Sequence, residues 1–398
     1  MTLDILQTLV AASLVLLLGR KLVSSSSLLK AYSIPEPVVG GLIVALALLA
    51  LRSFAQVELR FDSALQGPLM LAFFATIGLN ANLASLKAGG RKLAIFLGVV
   101  LGFLILQDTI GIAMAKLMGI DPLIGLLGSS ITLSGGHGTG AAWGRVFTQD
   151  RGITAATEIA MACATFGLIL GGLIGGPVAG YLVRKVKLPD AQLAGNVAPP
   201  SFEQPKAVQL ITPQAFIEAL ALIAISLSVG TMLSTWLSGT AFELPTFVTV
   251  LFVGVLLSNG LSLFGYKIFE RAILVLGNVS LSLFLAMALM SLRLWDLASL
   301  ALPVLAILAV QAVGMAAYAI FVTFRVMGSN YDAAVLAAGH CGFGLGATPT
   351  AIANMQAVTD RYGPSHLAFL IVPMVSAFFI DLANAIVIKL FLALPIYH

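Results

Sequence analysis

One short glycine pattern occurs twice in this chain, as Gly136-His137-Gly138-Thr139-Gly140-Ala141 and as Gly342-Phe343-Gly344-Leu345-Gly346-Ala347, each inside a long uncharged stretch. Each glycine costs about 1 kcal/mol relative to alanine in a helix interior. The pattern therefore predicts two places where a helix fails and peptide N–H and C=O groups are left bare. At membrane depth such groups are tolerated only where they are buried in protein or line a cavity. Two matching breaks half a chain apart predict a pair of half-sites in a membrane protein.

Hydrophobic residues fill 59% of the 398 positions and charged residues 10%, which places the chain among polytopic membrane proteins rather than soluble domains. Runs long enough to span a bilayer predict ten helices: 3–19, 34–51, 68–86, 93–115, 157–181, 213–236, 244–261, 272–292, 299–324 and 366–391. The first stretch carries Asp4 in place of a basic leader and no small-residue cleavage site, so it reads as a span that stays attached. Cys163 and Cys341 lie in apolar stretches and read as small core thiols. The net charge of +4 comes with no basic cluster dense enough for nucleic acid.

The glycine patterns fall in the uncharged stretches that the ten spans leave over, which predicts two re-entrant segments at about 122–147 and 331–356. With the amino terminus outside, 14 basic residues lie inside, among them Arg20, Lys87, Arg184, Lys187, Lys206, Lys267 and Arg361, against 7 outside, including Arg145, Arg151, Arg293 and Lys389. That excess follows the positive-inside rule. A polar segment with Pro189, Pro199, Pro200, Pro205 and Pro213 divides the chain into repeats at 1–183 and 213–398, joined by a linker at 184–212. Five spans in each half invert one against the other, the build of many secondary transporters. Weak ordered matches support a duplication: Ile34-Pro35 with Leu244-Pro245, Leu83-Ala84-Ser85-Leu86 with Leu297-Ala298-Ser299-Leu300, and Asp150-Arg151-Gly152 with Asp360-Arg361-Tyr362-Gly363.

In that arrangement the two loops enter from opposite faces and their tips approach each other. Helix amino ends at such breaks suit a carboxylate, and exposed carbonyls suit a hard cation such as sodium. A helix is expected to restart at Thr139 to Ala142 and again at Thr348 to Thr350. The candidate substrate residues are Ser134, Gly135, Gly136, His137, Gly138, Thr139, Gly140, Gly344, Gly346, Thr348, Thr350, Asn354 and Asp381; sodium is placed near Ser134, Gly342, Gly344, Asn278 and Asn384. Asp381 and Asn384 share a face of the tenth span and are expected to meet the second loop. Gln107 and Asp108 in the fourth span are further intramembrane candidates. His137 and His340 read equally as hydrogen-bonded interior histidines or as ligands, and the pairs Gly171-Gly172 and Gly175-Gly176 as helix-packing positions.

A channel built on the same broken helices is the alternative reading; gradient-driven accumulation separates the two, because a channel cannot concentrate solute. Ser134 with His137 could mimic a nucleophile and base, but no orienting carboxylate accompanies them in sequence.

The stretch Thr132-Leu133-Ser134-Gly135-Gly136-His137-Gly138-Thr139-Gly140-Ala141-Ala142-Trp143 resembles the bacterial sodium/glutamate symporter family. So do Ala338-Gly339-His340-Cys341-Gly342-Phe343-Gly344-Leu345-Gly346-Ala347-Thr348-Pro349-Thr350, Ile34-Pro35-Glu36-Pro37-Val38 and Asn278-Val279-Ser280-Leu281-Ser282-Leu283-Phe284. The resemblance implies an all-α polytopic membrane protein of two inverted five-span repeats, each with a re-entrant glycine-rich hairpin loop. It also implies a non-enzymatic transporter of the bacterial inner membrane that takes up L-glutamate with Na+ as coupling ion and no other cofactor. A homodimer in which a transport part moves against a fixed scaffold is implied as well. In such a membrane the orientation set by the basic residues makes both termini periplasmic and the linker cytoplasmic.

Overall fold

The computed structural model describes residues 2–31, 34–56, 59–81, 83–186, 211–240, 243–266, 268–292 and 300–396. Asn82, Lys187, Lys206, Lys267, Arg293, the linker prolines at 189–205 and the 297–299 part of the repeat match lie outside these residues.

Local capping chemistry starts the first half. Asp4 opens α1 (Ile5–Ser25) with a capping box, its carboxylate accepting from the Gln7 N–H at 2.8 Å while the Gln7 side chain accepts from the Asp4 N–H at 3.1 Å. A short α2 (Ser27–Ala31) precedes α3 (Glu36–Ala55), which begins with Glu36 and Pro37 in its first turn. Then come α4 (Gln66–Asn80) and α5 (Ala84–Leu117), the latter bent at Gly90, whose φ of +60° lies outside the helical region. After Asp121, α6 (Pro122–Leu126) runs into a π-helical turn at Leu127–Ile131 and is followed by α7 (Gly136–Asp150) and α8 (Ala156–Val183).

The second half follows a related order. Thr212 caps α9 (Pro213–Leu237), then come α10 (Thr246–Leu263), α11 (Glu270–Met290) and α12 (Ala301–Tyr318). The last of these continues through a π-helical turn at Ala319–Thr323 into α13 (Phe324–Val326). Asn330 caps α14 (Tyr331–Gly344), followed by α15 (Thr348–Tyr362) and α16 (His366–Met374), and a π-helical turn at Val375–Phe379 joins α16 to α17 (Ile380–Leu392). The β-structure among the described residues is a two-residue parallel pairing of Thr2–Leu3 with Arg60–Phe61.

Eight of these helices are long and apolar enough to cross a bilayer, and α16 with α17, bent by 50° at their junction, makes a ninth where the pair is taken as one broken span. The remaining expected span, 68–86, is shorter than the sequence suggests: α4 stops at Asn80 after 15 residues. At about 1.5 Å per residue it reaches about 22 Å, short of the lipid core of about 30 Å. Its end is held from outside the helix, where Asn259 of α10 donates to the Ala81 carbonyl at 2.8 Å and accepts from the Leu83 N–H at 2.9 Å.

The helices sort into two packed groups. One holds α1, α3, α4, α9, α10 and α11; the other holds α5 to α8 and α12 to α17. Within the first group glycine lets backbones touch: a Cβ on Gly78 of α4 would stand 2.1 Å from the Leu251 carbonyl oxygen of α10. The groups meet along few elements, chiefly where α11 reaches α7, α10 reaches α17 and α4 reaches the π-helical turn at Val375–Phe379, and a cavity of about 700 Å³ opens between Met70, Trp143, Arg145, Ser234, Glu243 and Phe247. Gly78→Ala is expected to destabilise the protein by ~1–3 kcal/mol through overpacking. Gly98→Ala, at a position with nothing within 4 Å, is expected to be neutral or stabilising. Thermal melting of the two purified variants checks both expectations, and equal melting would refute the close contact.

Candidate functional site

The first break begins inside the π-helical turn, where Ser129 leaves helical geometry at φ −124° and ψ −135°. Residues 132–135 then turn, and the chain re-enters a helix at Gly136, whose φ of +67° favours glycine. The break thus precedes the glycine pattern, and α7 starts three residues before the expected Thr139. Gly138 and Gly140 are helical because their cost is offset by packing: a Cβ would meet the Phe73 ring at 2.6 Å and the Thr132 methyl at 3.0 Å respectively.

The second break falls at the other end of its pattern. Gly339, Gly342 and Gly344 all belong to α14, the chain turns at 345–347, and α15 starts at Thr348, as the sequence suggests. The two helices fold back on each other, with a Cβ on Gly342 standing only 2.5 Å from the Ala351 Cα. The glycine face of α8 supports this hairpin: a Cβ on Gly167 would meet the Leu345 carbonyl oxygen at 2.3 Å. Asn354 donates to the carbonyls of Gly171 at 2.9 Å and Ala338 at 3.3 Å, so its amide ties α15 to α8 and α14. Gly175 leaves room for that amide, its Cβ position lying 2.1 Å from Asn354 Nδ2.

The two breaks meet. Ser134 Oγ lies 2.7 Å from Gln107 Oε1 and 3.0 Å from the Gly344 carbonyl oxygen, positioned to donate to either. Gln107 Nε2 donates to that same carbonyl at 3.0 Å, so one buried amide of α5 grips both breaks. A Cβ on Gly136 would stand 3.8 Å from the Gly346 carbonyl oxygen, which brings the two tips into contact distance. Next to Gln107, Asp108 Oδ1 accepts from the Ser130 N–H at 3.0 Å. Gln311 of α12 donates to the Gln107 carbonyl at 2.7 Å and to Ser129 Oγ at 2.9 Å, and Asn384 of α17 donates to the Ser130 carbonyl at 2.9 Å. The polar face of α17 therefore meets the first break, through Asn384, rather than the second.

Other sequence candidates take varied positions. Both helix amino ends at the breaks lack a side-chain cap, Gly135 preceding α7 and Ala347 preceding α15. Thr139 is buried in the first turn of α7, Thr348 opens α15, and the buried Thr350 hydroxyl has no hydrogen-bond partner among the described residues. Asp381 lies partly exposed in the first turn of α17, one turn before Asn384. Asn278 is exposed on α11, whose neighbours are mainly α1, α3 and α4, so it stands apart from Ser134, Gly342, Gly344 and Asn384. His137 Nε2 pairs with Thr165 Oγ1 at 3.1 Å. His340 Nδ1 pairs with Thr323 Oγ1 at 2.9 Å, and its ring stacks on Phe343 at 5.1 Å among Phe96, Phe103 and Tyr318, an interior packing role.

Sequence reasoning missed Gln311, Ser129 and Ser130. Gln311 carried a signal, as the one amide or charged residue in the stretch 299–324. The serines carried none, since membrane helices contain many serines that bond only their own backbone. A double-mutant cycle of Gln107→Leu with Ser134→Ala, read by denaturation of the purified protein, is expected to give a coupling of ~0.5–3 kcal/mol. Additive effects would show that the two side chains do not bond.

Comparison with known proteins gives this geometry a setting. A profile of the family described as "Sodium/glutamate symporter" matches residues 1–364. Proteins named "Sodium/glutamate symporter" from Escherichia coli (strain K12) and Shigella flexneri are each 68% identical over 396 residues, covering 99% of both chains. The protein of that name from Haemophilus influenzae (strain ATCC 51907 / DSM 11121 / KW20 / Rd) is 53% identical over 387 residues, covering 96% of both. A family model and relatives that span nearly the whole chain leave one assignment: this chain belongs to the sodium/glutamate symporter family, a family of membrane transporters and not of enzymes.

Proposed function

We propose that the protein imports L-glutamate together with sodium by alternating access. The observation that carries this reading is the junction of two helix breaks at the Gly344 carbonyl, 3.0 Å from Ser134 Oγ, in a chain whose relatives are named for sodium and glutamate. Glutamate brings two carboxylates and one ammonium. The uncapped amino ends of α7 and α15 suit the carboxylates, with N–H groups around Gly136, His137, Gly138, Thr139 and Gly140 on one side. Gly346, Thr348 and Thr350 serve the other, where the Thr350 hydroxyl is free to donate. Asp381 supplies a carboxylate for the ammonium, and Gly135, Ser134 and Gly344 close the junction.

The chain is a multi-pass membrane protein. We assign it two inverted repeats, 1–183 and 213–398, around a cytoplasmic linker at 184–212. The recurring order supports this: a long helix, a glycine of positive φ (Gly119 at +68°, Gly328 at +110°), an Asp121 or Asn330 cap, a helix that runs into a break, and a 15-residue helix after it. Both termini are then periplasmic in a bacterial inner membrane. The group with both breaks moves against the group of α1, α3, α4, α9, α10 and α11, and the working form is a homodimer. A bond between the two breaks and a family of symporters disfavour the channel reading.

Purified protein in liposomes is expected to accumulate radiolabelled L-glutamate above the outside concentration when sodium is high outside, and to stop when the gradient is collapsed. Accumulation that persists without the gradient would sink the coupling. Mass measurement in detergent is expected to give twice the chain mass; a monomer would remove the dimer.

A further inference from the structure

Among the described residues, four side-chain oxygens around the π-helical turn at Leu127–Ile131 lack a regular hydrogen-bond partner although they are sealed from solvent: Asp108 Oδ2, Ser130 Oγ, Gln311 Oε1 and Asn384 Oδ1, with the Ser130 hydroxyl lying near the Asp108 carboxyl group. All four residues are 1% exposed or less. Buried polar atoms are ordinarily paired, so four orphans around one turn require an explanation. The amide orientations are fixed by their neighbours. Turning Asn384 over would set its oxygen against the Ser130 carbonyl, which its Nδ2 now reaches at 2.9 Å. Turning Gln311 would set oxygen against the Gln107 carbonyl, now 2.7 Å from Nε2. Both orphan amide oxygens are therefore consequences of bonds already made.

The groups sit together through short links. Asp108 Oδ1 touches the Ser130 N–H at 3.0 Å, Asn384 touches the Ser130 carbonyl, and Gln311 touches Ser129 Oγ at 2.9 Å. The turn is also where Ser129 departs from helical geometry and α6 comes to its carboxyl end, the negative end of its dipole. Asp108 makes no hydrogen bond or ion pair to a cationic side chain among the described residues; its carboxyl group lies against Ser130 instead.

We propose that this pocket of oxygens is the binding site of a monovalent cation, sodium, formed by Asp108 and Asn384 with Ser130 and Gln311. One carboxylate matches one positive charge, which leaves the buried site neutral. Hydroxyl, amide and carboxylate oxygens are ligands of hard cations, and no group of three acidic, histidine or cysteine side chains that would favour a divalent or transition metal exists among the described residues. The site couples ion to solute: filling it holds Ser130 and Asn384, and with them the first break, against α5 and α12, while Gln107 beside Asp108 holds the second. The proposal rests on the sodium-coupled reading of the protein.

The test uses the full chain in two formats: glutamate uptake into liposomes as a function of sodium, and thermal melting of purified protein in sodium chloride against choline chloride without glutamate. Wild-type protein is expected to show sodium-driven uptake and a sodium-dependent rise in melting temperature. Absence of sodium-driven uptake in wild type would overturn the functional reading itself. In Asp108→Asn the sodium half-saturation is expected to rise about tenfold or more, with loss of the sodium-dependent melting rise. Wild-type sodium dependence in D108N would place the ion elsewhere and leave the transport reading standing. Ser130→Ala and Asn384→Ala, each removing one oxygen, are expected to raise the half-saturation as well, and they decide the matter if D108N does not fold. Unchanged sodium dependence in both overturns the site.

Discussion

Two interrupted helices meet in an apolar interior, and one side chain bonds to both, to a hydroxyl of the first break and to a peptide carbonyl of the second. Gln107 offers Oε1 toward the Ser134 hydroxyl at 2.7 Å and donates Nε2 to the Gly344 carbonyl at 3.0 Å. An amide is suited to this because it donates and accepts at once, and a carbonyl left unpaired in such a place costs about 1–3 kcal/mol. The following residue, Asp108, turns about 100° further around α5 and takes the Ser130 N–H. Two consecutive residues of one long helix thus hold the π-helical turn, the first break and the second, and Gln311 and Asn384 brace them from α12 and α17.

The glycines act by absence of bulk more than by flexibility. Gly138, Gly140, Gly342 and Gly344 are helical, and their neighbours lie where a Cβ would stand: the Phe73 ring, the Thr132 methyl, the Ala351 backbone and the Met315 sulfur. The same holds for Gly167, Gly171 and Gly175, which turn one face of α8 into a track for the second hairpin. In water a helix with this density of glycine would fray. Inside a packed bundle its peptide bonds stay paired and the loss of conformational entropy is balanced by close contact.

Much of this was legible in the residues. Length and hydropathy predicted the spans, and the paired glycine patterns marked the two interrupted regions to within a few residues. The pattern did not reveal on which side of itself each break lies, because glycine serves both breaking and packing and only tertiary contact decides. Asn278 and Asn384 look alike in sequence, each a lone asparagine in an apolar helix, yet one is exposed and the other is bonded to Ser130. Which helix face looks inward depends on how a helix is rotated in the bundle, and weakly amphipathic apolar helices leave that undetermined. Gln311 was readable as an expensive polar group in a span, though its partners were not, since they lie some 180 to 200 residues away in the chain.

The early end of α4 shortens the wall beside the first break. This 15-residue helix stands among α9, α10 and α11 and presents Phe73 to Gly138 of α7. Pro68 is its one exposed residue, so protein and not lipid surrounds it. Its ends lie about 22 Å apart, and a solute beside α4 passes an apolar stretch shorter than a bilayer core of about 30 Å.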